Sequence, residues 1–541
     1  MKRYDLIVIG AGPAGLSAAI EAAEHGMAVV VFDENDRPGG QLFKQIHKFF
    51  GSKEHHAKER GFRIGEELLQ NASALGVEVR LNATVMGIFN QKEITVMEKD
   101  VIRHYCANGI IIATGASENT LAFPGWTLPG VMGAGAAQTM MNIHGVQPGK
   151  QILMVGSGNV GVVVGYQLIQ AGCRLMAVID AASRITGYGV HAAKIARMAV
   201  PFYLSYTILE ARGTDRVQEA VIAKVDSEWK PIPGTETVIE VDTICLAVGL
   251  TPMSQLARMA GCKMEEDPVK GGYVPICGPT RETSIPGIYV AGDVAGIEEA
   301  SSAMIQGKLA GIAAAYNQGY LSPVVYEGRR ASLELSLSQL HMGMFGPGKK
   351  GKLDIVQTDE GCPLCESLMT KGYLSDVDIF HYPGIPTDSR RKKGLTPVIE
   401  CTQNIPCDPC QDACPKGCIK IAGSISGLPE FIESEDCTGC GMCVAACPGQ
   451  AIFLVDEGAE PGWASITLPY ELSLVPQPGD CGVALDRAGN AVCEATVVSV
   501  RKNMATDETV LLTMRVPSIW AMTARFYKAV SNLEQEVYDD D

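Results

Sequence analysis

"YDLIVIGAGPAGLSAAIEAAEHGMAVVVFDEN", residues 4 to 35, reads as a complete strand–helix–strand unit. The apolar run Leu6 to Ile9 enters Gly10-x-Gly12-x-x-Gly15. An alanine-rich helix then runs to Gly26, and a second apolar strand, Ala28 to Phe32, ends on Asp33. Glycines at this spacing let the backbone turn tightly and approach a pyrophosphate at the helix N-terminus. Asp33, followed by Glu34, stands where an acid meets ribose hydroxyls. Gly10, Gly12, Ala14, Gly15, Asp33 and Glu34 are the first candidate nucleotide site. The unit recurs as "KQILMVGSGNVGVVVGYQLIQAGCRLMAVID", residues 150 to 180. Here Gly156, Gly158, Asn159, Val160 and Gly161 form the turn, and Asp180 closes the next strand. An acid there favours NAD(H), because a 2′-phosphate would be repelled and would need an arginine instead. Arg184, four residues on, leaves room for NADP, and ATP or an unused site are the remaining alternatives.

The chain has 541 residues, 46% of them hydrophobic, enough for several domains with cores of their own. A formal charge of -16 argues against nucleic acid and anionic membrane surfaces as partners. The one basic run, "RRKK" at 390 to 393, reads as a solvated loop. No run of apolar residues is long enough for a membrane span. The opening "MKRYDLIVIGAG" enters a glycine turn and reads as a first strand, not a signal peptide. Of 18 cysteines, 11 fall between Cys362 and Cys447, a clustering that suggests metal ligation in a reducing cytoplasm. Cys106, Cys173, Cys245, Cys262, Cys277, Cys481 and Cys493 are expected to be ordinary buried side chains.

Further strand-then-glycine returns stand at "GIIIATGA" (109 to 116), with Thr114 and Gly115, and at "TICLAVGLTP" (243 to 252), with Gly249. "TSIPGIYVAGDVAG" (283 to 296) ends a strand on Gly292-Asp293, and "RPGGQL" (37 to 42) carries Gly40 and Gln41. Together these stretches resemble the two-dinucleotide-binding flavoprotein family that includes thioredoxin reductase, over about residues 1 to 325. The resemblance implies two nested Rossmann-like domains of α/β class: FAD on residues 1–120 and 256–325, and a nicotinamide nucleotide on 121–255. It makes Asp293 the acceptor for a ribityl hydroxyl. Thioredoxin reductase carries a redox C-x2-C just before its second glycine turn, whereas residues 123 to 149, "FPGWTLPGVMGAGAAQTMMNIHGVQPG", hold no cysteine. That stretch resembles the FAD-containing alpha-type subunits of hydrogen cyanide synthase, opine oxidase, sarcosine oxidase and dye-linked proline dehydrogenase. In those enzymes a beta-type flavoprotein oxidises the amine, and the alpha-type subunit passes the electrons on.

"DCTGCGMCVAACPG" places Cys437, Cys440, Cys443 and Cys447-Pro448 at the bacterial ferredoxin spacing without deviation. Zinc also accepts four thiolates, but its structural sites rarely use four so closely spaced and followed by proline. Upstream, "ECTQNIPCDPCQDACPKGC" (400 to 418) supplies Cys407, Cys410 and Cys414-Pro415, with Asn404 in the slot of a fourth ligand. In two-cluster ferredoxins the fourth cysteine of each run ligates the other cluster, so Cys414 joins Cys437, Cys440 and Cys443. Cys447 joins Cys407 and Cys410, which leaves one iron short of a ligand. A neutral amide cannot match a thiolate on iron, so Cys401 is expected to close this site across an enlarged loop. The expectation is a ferredoxin-like domain at 396–455 with two [4Fe–4S] clusters, Cys418 being a packed residue.

Residues 326–395 form a connecting segment. "GMFGPGKK" (343 to 350) lacks the Ser or Thr of a phosphate loop, and Cys362 and Cys365 are a thiol pair, half a metal site or simply buried. Residues 456–541 alternate like a small β module, with a closing amphipathic helix carrying Trp520, Phe526, Val530 and Leu533. No catalytic dyad is evident. The whole reads as an electron-transfer subunit serving a second flavoprotein, and a small ferredoxin-like protein is expected to be a further partner. A self-contained NAD(P)H:ferredoxin-type or glutamate-synthase-like reductase is the first rival, although those small subunits carry their cluster cysteines ahead of the FAD domain. A non-enzymatic iron–sulfur scaffold is the second, against which the intact glycine turns and Asp293 weigh.

Overall fold

The computed structural model describes residues 2–89, 92–343, 365–433, 436–502 and 504–529. The expectations for 344–350, for Cys362 and its pairing with Cys365, and for 530–541 lie outside these. Two compact units emerge: Met1–Asn119 with Gly249–Lys350, and Thr120–Val248 with Gly351–Asp541.

In the first unit, β1 (Lys2–Ile9), α1 (Pro13–Glu24) and β2 (Val29–Phe32) follow the sequence reading. β1 lies in a parallel sheet between β2 and β3 (Val101–Ile112), with Ile7 opposite Val30 and Ile110. Leu6 and Val8 face a core shared with α1, while Ile7 and Ile9 face a second core, so the strand is apolar throughout. Helix Ala300–Asn317 packs on α1 through small residues: a Cβ on Gly307 would lie 2.1 Å from the Ala14 carbonyl oxygen. The chain re-enters this unit at 249, not 256, because Leu250–Pro252 pairs with Ala116–Glu118. It also leaves later than 325. Helix Pro323–Leu340, read as the start of a connecting segment, buries Tyr326 and Leu333 in this core.

In the second unit, β4 (Gln151–Val155), α2 (Asn159–Gln170) and β5 (Arg174–Asp180) repeat the pattern. The parallel order is Phe202–Leu204, β5, β4, Thr243–Leu246, Val131–Gly133. α2 and α3 (Gly189–Ala196) cover one face, and Tyr206–Arg212 with Glu219–Lys224 cover the other. The cysteine-rich region and the tail share one antiparallel sheet. Its order is β6 (Thr396–Ile399), β7 (Ile452–Glu460), Trp463–Tyr470, Val510–Pro517, Ala491–Arg501, Cys481–Leu485 and Phe526–Ala529.

Four expectations change here. The boundary at 455/456 falls inside the continuous strand β7, so ferredoxin-like region and β module are not separable. The closing helix is not formed over 518–529: Trp520 sits in a short 3-10 turn, and the open edge of Cys481–Leu485 takes up Phe526–Ala529 as a strand. In "RRKK", Arg391 is 4% exposed and pairs with Glu457 of β7, which ties the run down. Of the isolated cysteines, Cys173, Cys245 and Cys262 are buried, but Cys106, Cys277 and Cys493 are half-buried and Cys481 is exposed on a strand.

Candidate functional site

The first glycine turn is held by contacts that only glycine permits. Gly10 has φ +103°, and a Cβ there would lie 2.3 Å from the Ala113 carbonyl oxygen; one on Gly15 would lie 1.8 Å from that of Gly10. A Cβ on Gly12, by contrast, would meet nothing within 4 Å, so on that side the N-terminus of α1 is open. Asp33 shapes this turn. Its Oδ2 accepts from the Ala11 N–H at 2.6 Å, and its Oδ1 from the backbone and side chain of Asn35 at 2.9 and 2.8 Å. Glu34 stays exposed, as does Gln41, and Gly40 lies against Gly12. Thr114 Oγ1 donates to the Met253 carbonyl at 2.7 Å, which fixes the return at Gly115.

At the end of Ile288–Val290, Asp293 accepts the Glu298 N–H at 3.1 Å, and burial pushes its carboxyl up to about 6. Its neighbour Gly292 donates its N–H to Gln306 Oε1 at 3.0 Å, Gln306 donates to Glu298 at 2.7 Å, and His341 shares that carboxylate at 2.9 Å. This supporting network was not visible in the sequence, since its members are spread from 292 to 341.

The second turn repeats the geometry: Gly156 has φ +109°, and a Cβ on Gly161 would lie 2.0 Å from the Gly156 carbonyl oxygen. Asp180 Oδ2 accepts from the Ser157 N–H at 2.7 Å and from its hydroxyl, and Oδ1 accepts from Ala182 N–H at 2.9 Å. Near Gly158 a Cβ would meet only Thr186 Oγ1, at 3.7 Å, and Val160 is 41% exposed. Asn159 Oδ1 accepts from the Tyr188 N–H at 2.8 Å, linking the turn to α3. Arg184 is paired with Glu366 at 2.8 Å, which offsets the cation a 2′-phosphate would require. Gly249 falls in the first unit and is exposed.

The thiols of the cysteine segment lie close enough to act on one another. Burial first, then Cys447 and Cys410, drive the Cys401 thiol well above its ordinary range; burial and Cys447 push Cys410 up to about 12. Around Cys443, burial is joined by Cys437, Cys440, Cys410 and Cys414 in the same sense. Cys407 lies one turn before Cys410, its N–H donating to Ile425 at 3.1 Å. Asn404 is turned outward, exposed, with Nδ2 donating to the Ser426 carbonyl at 2.9 Å. A pocket lined by Cys414, Cys418, Cys437, Cys440 and Cys443 opens at the surface, where Cys440 is exposed. Cys418 is packed, as expected, yet beside Cys414 and Cys437: burial and those two thiols push it up to about 12. Backbone N–H groups of Cys418 and Ala451 point at Cys414 and Cys447 sulfur, at 3.2 and 3.4 Å.

Residues 4–319 match the family model for pyridine nucleotide-disulphide oxidoreductases. The chain belongs to that family. A second match, to the 4Fe-4S binding domain, covers 430–453. The A component of opine oxidase from Agrobacterium tumefaciens is 32% identical over 58% of this chain and 65% of its own length. The HcnB component of hydrogen cyanide synthase from Pseudomonas aeruginosa is 29% identical over 60% of this chain and 74% of its own. The alpha component of sarcosine oxidase from a Corynebacterium species is 25% identical over 58% of this chain and 33% of its own. The matches thus cover from one third to three quarters of these relatives.

For a pyridine nucleotide-disulphide oxidoreductase the residues present fit FAD. The open slot at Gly12 and the α1 N-terminus suit a pyrophosphate, and Asp293 is a half-buried acceptor that a ribityl hydroxyl would satisfy. The thiol groups fit iron–sulfur clusters, since crowded, desolvated thiols whose anions are disfavoured lose their protons to a cation. No helix among the described residues is long and apolar enough to cross a membrane.

Proposed function

We propose that the chain is the electron-transferring subunit of a cytoplasmic, multi-subunit amine or imino-acid dehydrogenase. Proline, hydroxyproline, sarcosine or an opine is the donor class, oxidised in a second, beta-type flavoprotein. The observation that carries this reading is in the second unit, where Tyr188, capping α3, is bonded to the second glycine turn, and Gly189, Val190 and the C-capping Arg197 meet Gln403, Gly449 and Gln450 of the cysteine segment. The second glycine turn and the cysteine segment belong to one compact body, which supports the reading. The absence of cysteine from 123 to 149 supports it, because electrons need another exit than a disulfide. The relatives are named as subunits, which supports a partner.

When bound, FAD takes up two electrons together and releases them singly, the property an intermediary between an organic donor and one-electron clusters requires. Gly10, Gly12 and Gly15 would cradle its pyrophosphate, Glu34 would meet the ribose, and Asp293 the ribityl chain. Gly156, Gly158 and Gly161 would do the same for NAD(H). Cys401, Cys407, Cys410 and Cys447 would hold one cluster, and Cys414, Cys437, Cys440 and Cys443 the other, each thiol releasing its proton as iron enters.

The test is partner dependence. The purified chain alone should contain flavin that NADH bleaches, and should leave every amine unreacted. Addition of the second flavoprotein, recovered by pull-down from the native source, should switch on amine-dependent dye reduction. Oxidation of proline or sarcosine by the lone chain would sink the division of labour.

The nucleotide assignment has its own test. Dye reduction by the chain should favour NADH over NADPH by about tenfold or more in kcat/KM, a difference of ~1.4 kcal/mol. Asp180→Asn keeps an acceptor for Ser157 while removing the charge that repels a 2′-phosphate, and should narrow the ratio. Equal rates with both nucleotides in the unmodified chain would refute the assignment.

A further inference from the structure

The loop that enlarges the first cysteine run has a purpose in the second unit. Gln403, within the five residues separating Cys401 from Cys407, accepts the Gly189 N–H at 2.8 Å through its side-chain oxygen. Gly189 is the first residue of α3, so the enlarged loop grips the start of that helix. Val190 and Lys194 of α3 and Arg197, its C-cap, recur at helical spacing and share a face. Val190 packs on Gly449, where a Cβ would come within 3.0 Å of it. Arg197 donates to the Gln450 carbonyl through Nη1 and Nη2 at 3.2 and 3.3 Å. Lys194 Nζ lies 4.6 Å above the ring of Tyr166, whose hydroxyl donates to Gln450 Oε1 at 2.9 Å. Gly449 and Gln450 directly follow Cys447-Pro448.

Both cations are buried, Lys194 2% exposed and Arg197 7%. Arg197 Nε has no hydrogen-bond partner. The nearby anion, Glu400, is answered by two guanidiniums, of Arg487 and Arg525. Among the described residues, the cations beside the other thiols are less buried: Arg390 and Arg501 donate to the carbonyls of Cys437 and Cys440 at 3.4 Å, Lys416 lines the pocket with Cys414, and Arg501, Lys416 and Cys440 are exposed. Positive charge acts more strongly on a neighbouring site in a desolvated setting than through water. Net charge and solvent exposure are what set the potentials of thiolate-ligated clusters.

We propose that Lys194 and Arg197, supplied by the second nucleotide domain, set the reduction potential of the site formed by Cys401, Cys407, Cys410 and Cys447, and hold it above that of the other site. They are positioning residues and touch no reacting atom. The inference rests on the two-cluster reading.

The test is a dithionite titration of the full, iron-loaded chain with redox mediators, each cluster being followed by electron paramagnetic resonance. In Lys194→Met, the reduced-to-oxidised ratio of one cluster at fixed potential should fall about tenfold, equivalent to ~59 mV for one electron. The other cluster should move less than threefold. Lys194→Arg should restore the ratio, and Lys230→Gln, which removes an exposed charge of the same domain, should change neither. Should Lys194→Met lose iron, Arg197→Gln against Arg197→Lys repeats the comparison through the second cation. Shifts of less than threefold in both clusters, or equal shifts in both, overturn the proposal while leaving the two-cluster reading intact. An iron content of about four atoms in the unmodified chain overturns both.

Discussion

Cys401→Ala should lower the iron content of the purified chain from about eight atoms towards four, and Asn404→Ala should leave it at about eight. The two residues compete for one role in the sequence, and the structure separates them. Cys401 is enclosed with Cys410 and Cys447, whose charges act on it directly. Asn404 is exposed and committed to the Ser426 carbonyl. Cys418 is no substitute ligand for the Cys401 site, because its neighbours are Cys414 and Cys437 of the opposite group. Iron and acid-labile sulfide analysis of the three proteins decides the matter. Eight iron atoms surviving in Cys401→Ala would remove Cys401 from the ligand set and return the enlarged loop to an unexplained insertion.

Glu400→Gln should destabilise the second unit by ~3–5 kcal/mol. The carboxylate accepts from Arg487 Nη2 at 2.7 Å and Nε at 3.1 Å, and from Arg525 Nε. Although burial works against its ionised form, Arg487 and Arg525 hold the carboxyl down to about 2. Arg525 is wholly buried and lies 5.2 Å from the Phe453 ring, so it has no access to water if its partner is neutralised. An amide leaves the Arg525 guanidinium without its paired carboxylate in the interior, while Arg487 keeps Asp376, and stranding a buried charge is the costly way to break such a group. Urea unfolding, followed by proteolytic release of peptides from the sheet at 463–529, provides the measurement. Replacing the group together, as Glu400→Leu with Arg487→Met and Arg525→Met, should recover much of the loss. A single variant as stable as the parent would show that the group carries no such burden.

What was legible in the sequence follows from what chemistry demands of residue type. A pyrophosphate cradle requires glycine where Gly10 and Gly15 approach backbone oxygens, and iron requires thiolates, so both left local spacings that a reader can recognise. The role of Asp33 was only half visible. Its position was evident, but the hydrogen bonds its oxygens accept from Ala11 and Asn35 were not. Contacts between distant residues left no such spacing. Glu400 meets Arg487 and Arg525 from 87 and 125 residues away, and Gln403 reaches Gly189 across 214. The tail misled for a related reason: Phe526 and its neighbours have helical spacing, yet an unpaired strand edge was the stronger claimant. Arg391 looked solvated because its partner, Glu457, belongs to a strand 66 residues on.

β6 and β7 pair antiparallel, Thr396 opposite Val455 and Ile399 opposite Ile452, and every cysteine from Cys401 to Cys447 lies in the loop they close. That clasp imposes an order on the birth of the protein. While the ribosome is still working through residue 447, β6 lacks its partner, and the two runs are tied by the short pairing of Ile419–Ile421 with Pro429–Phe431. The loop is closed by β7, which strand Trp463–Tyr470 backs. On the two-cluster reading, iron would enter a completed frame only after synthesis of residue 470, and a nascent chain stalled before that point would offer nine thiols to oxidants instead.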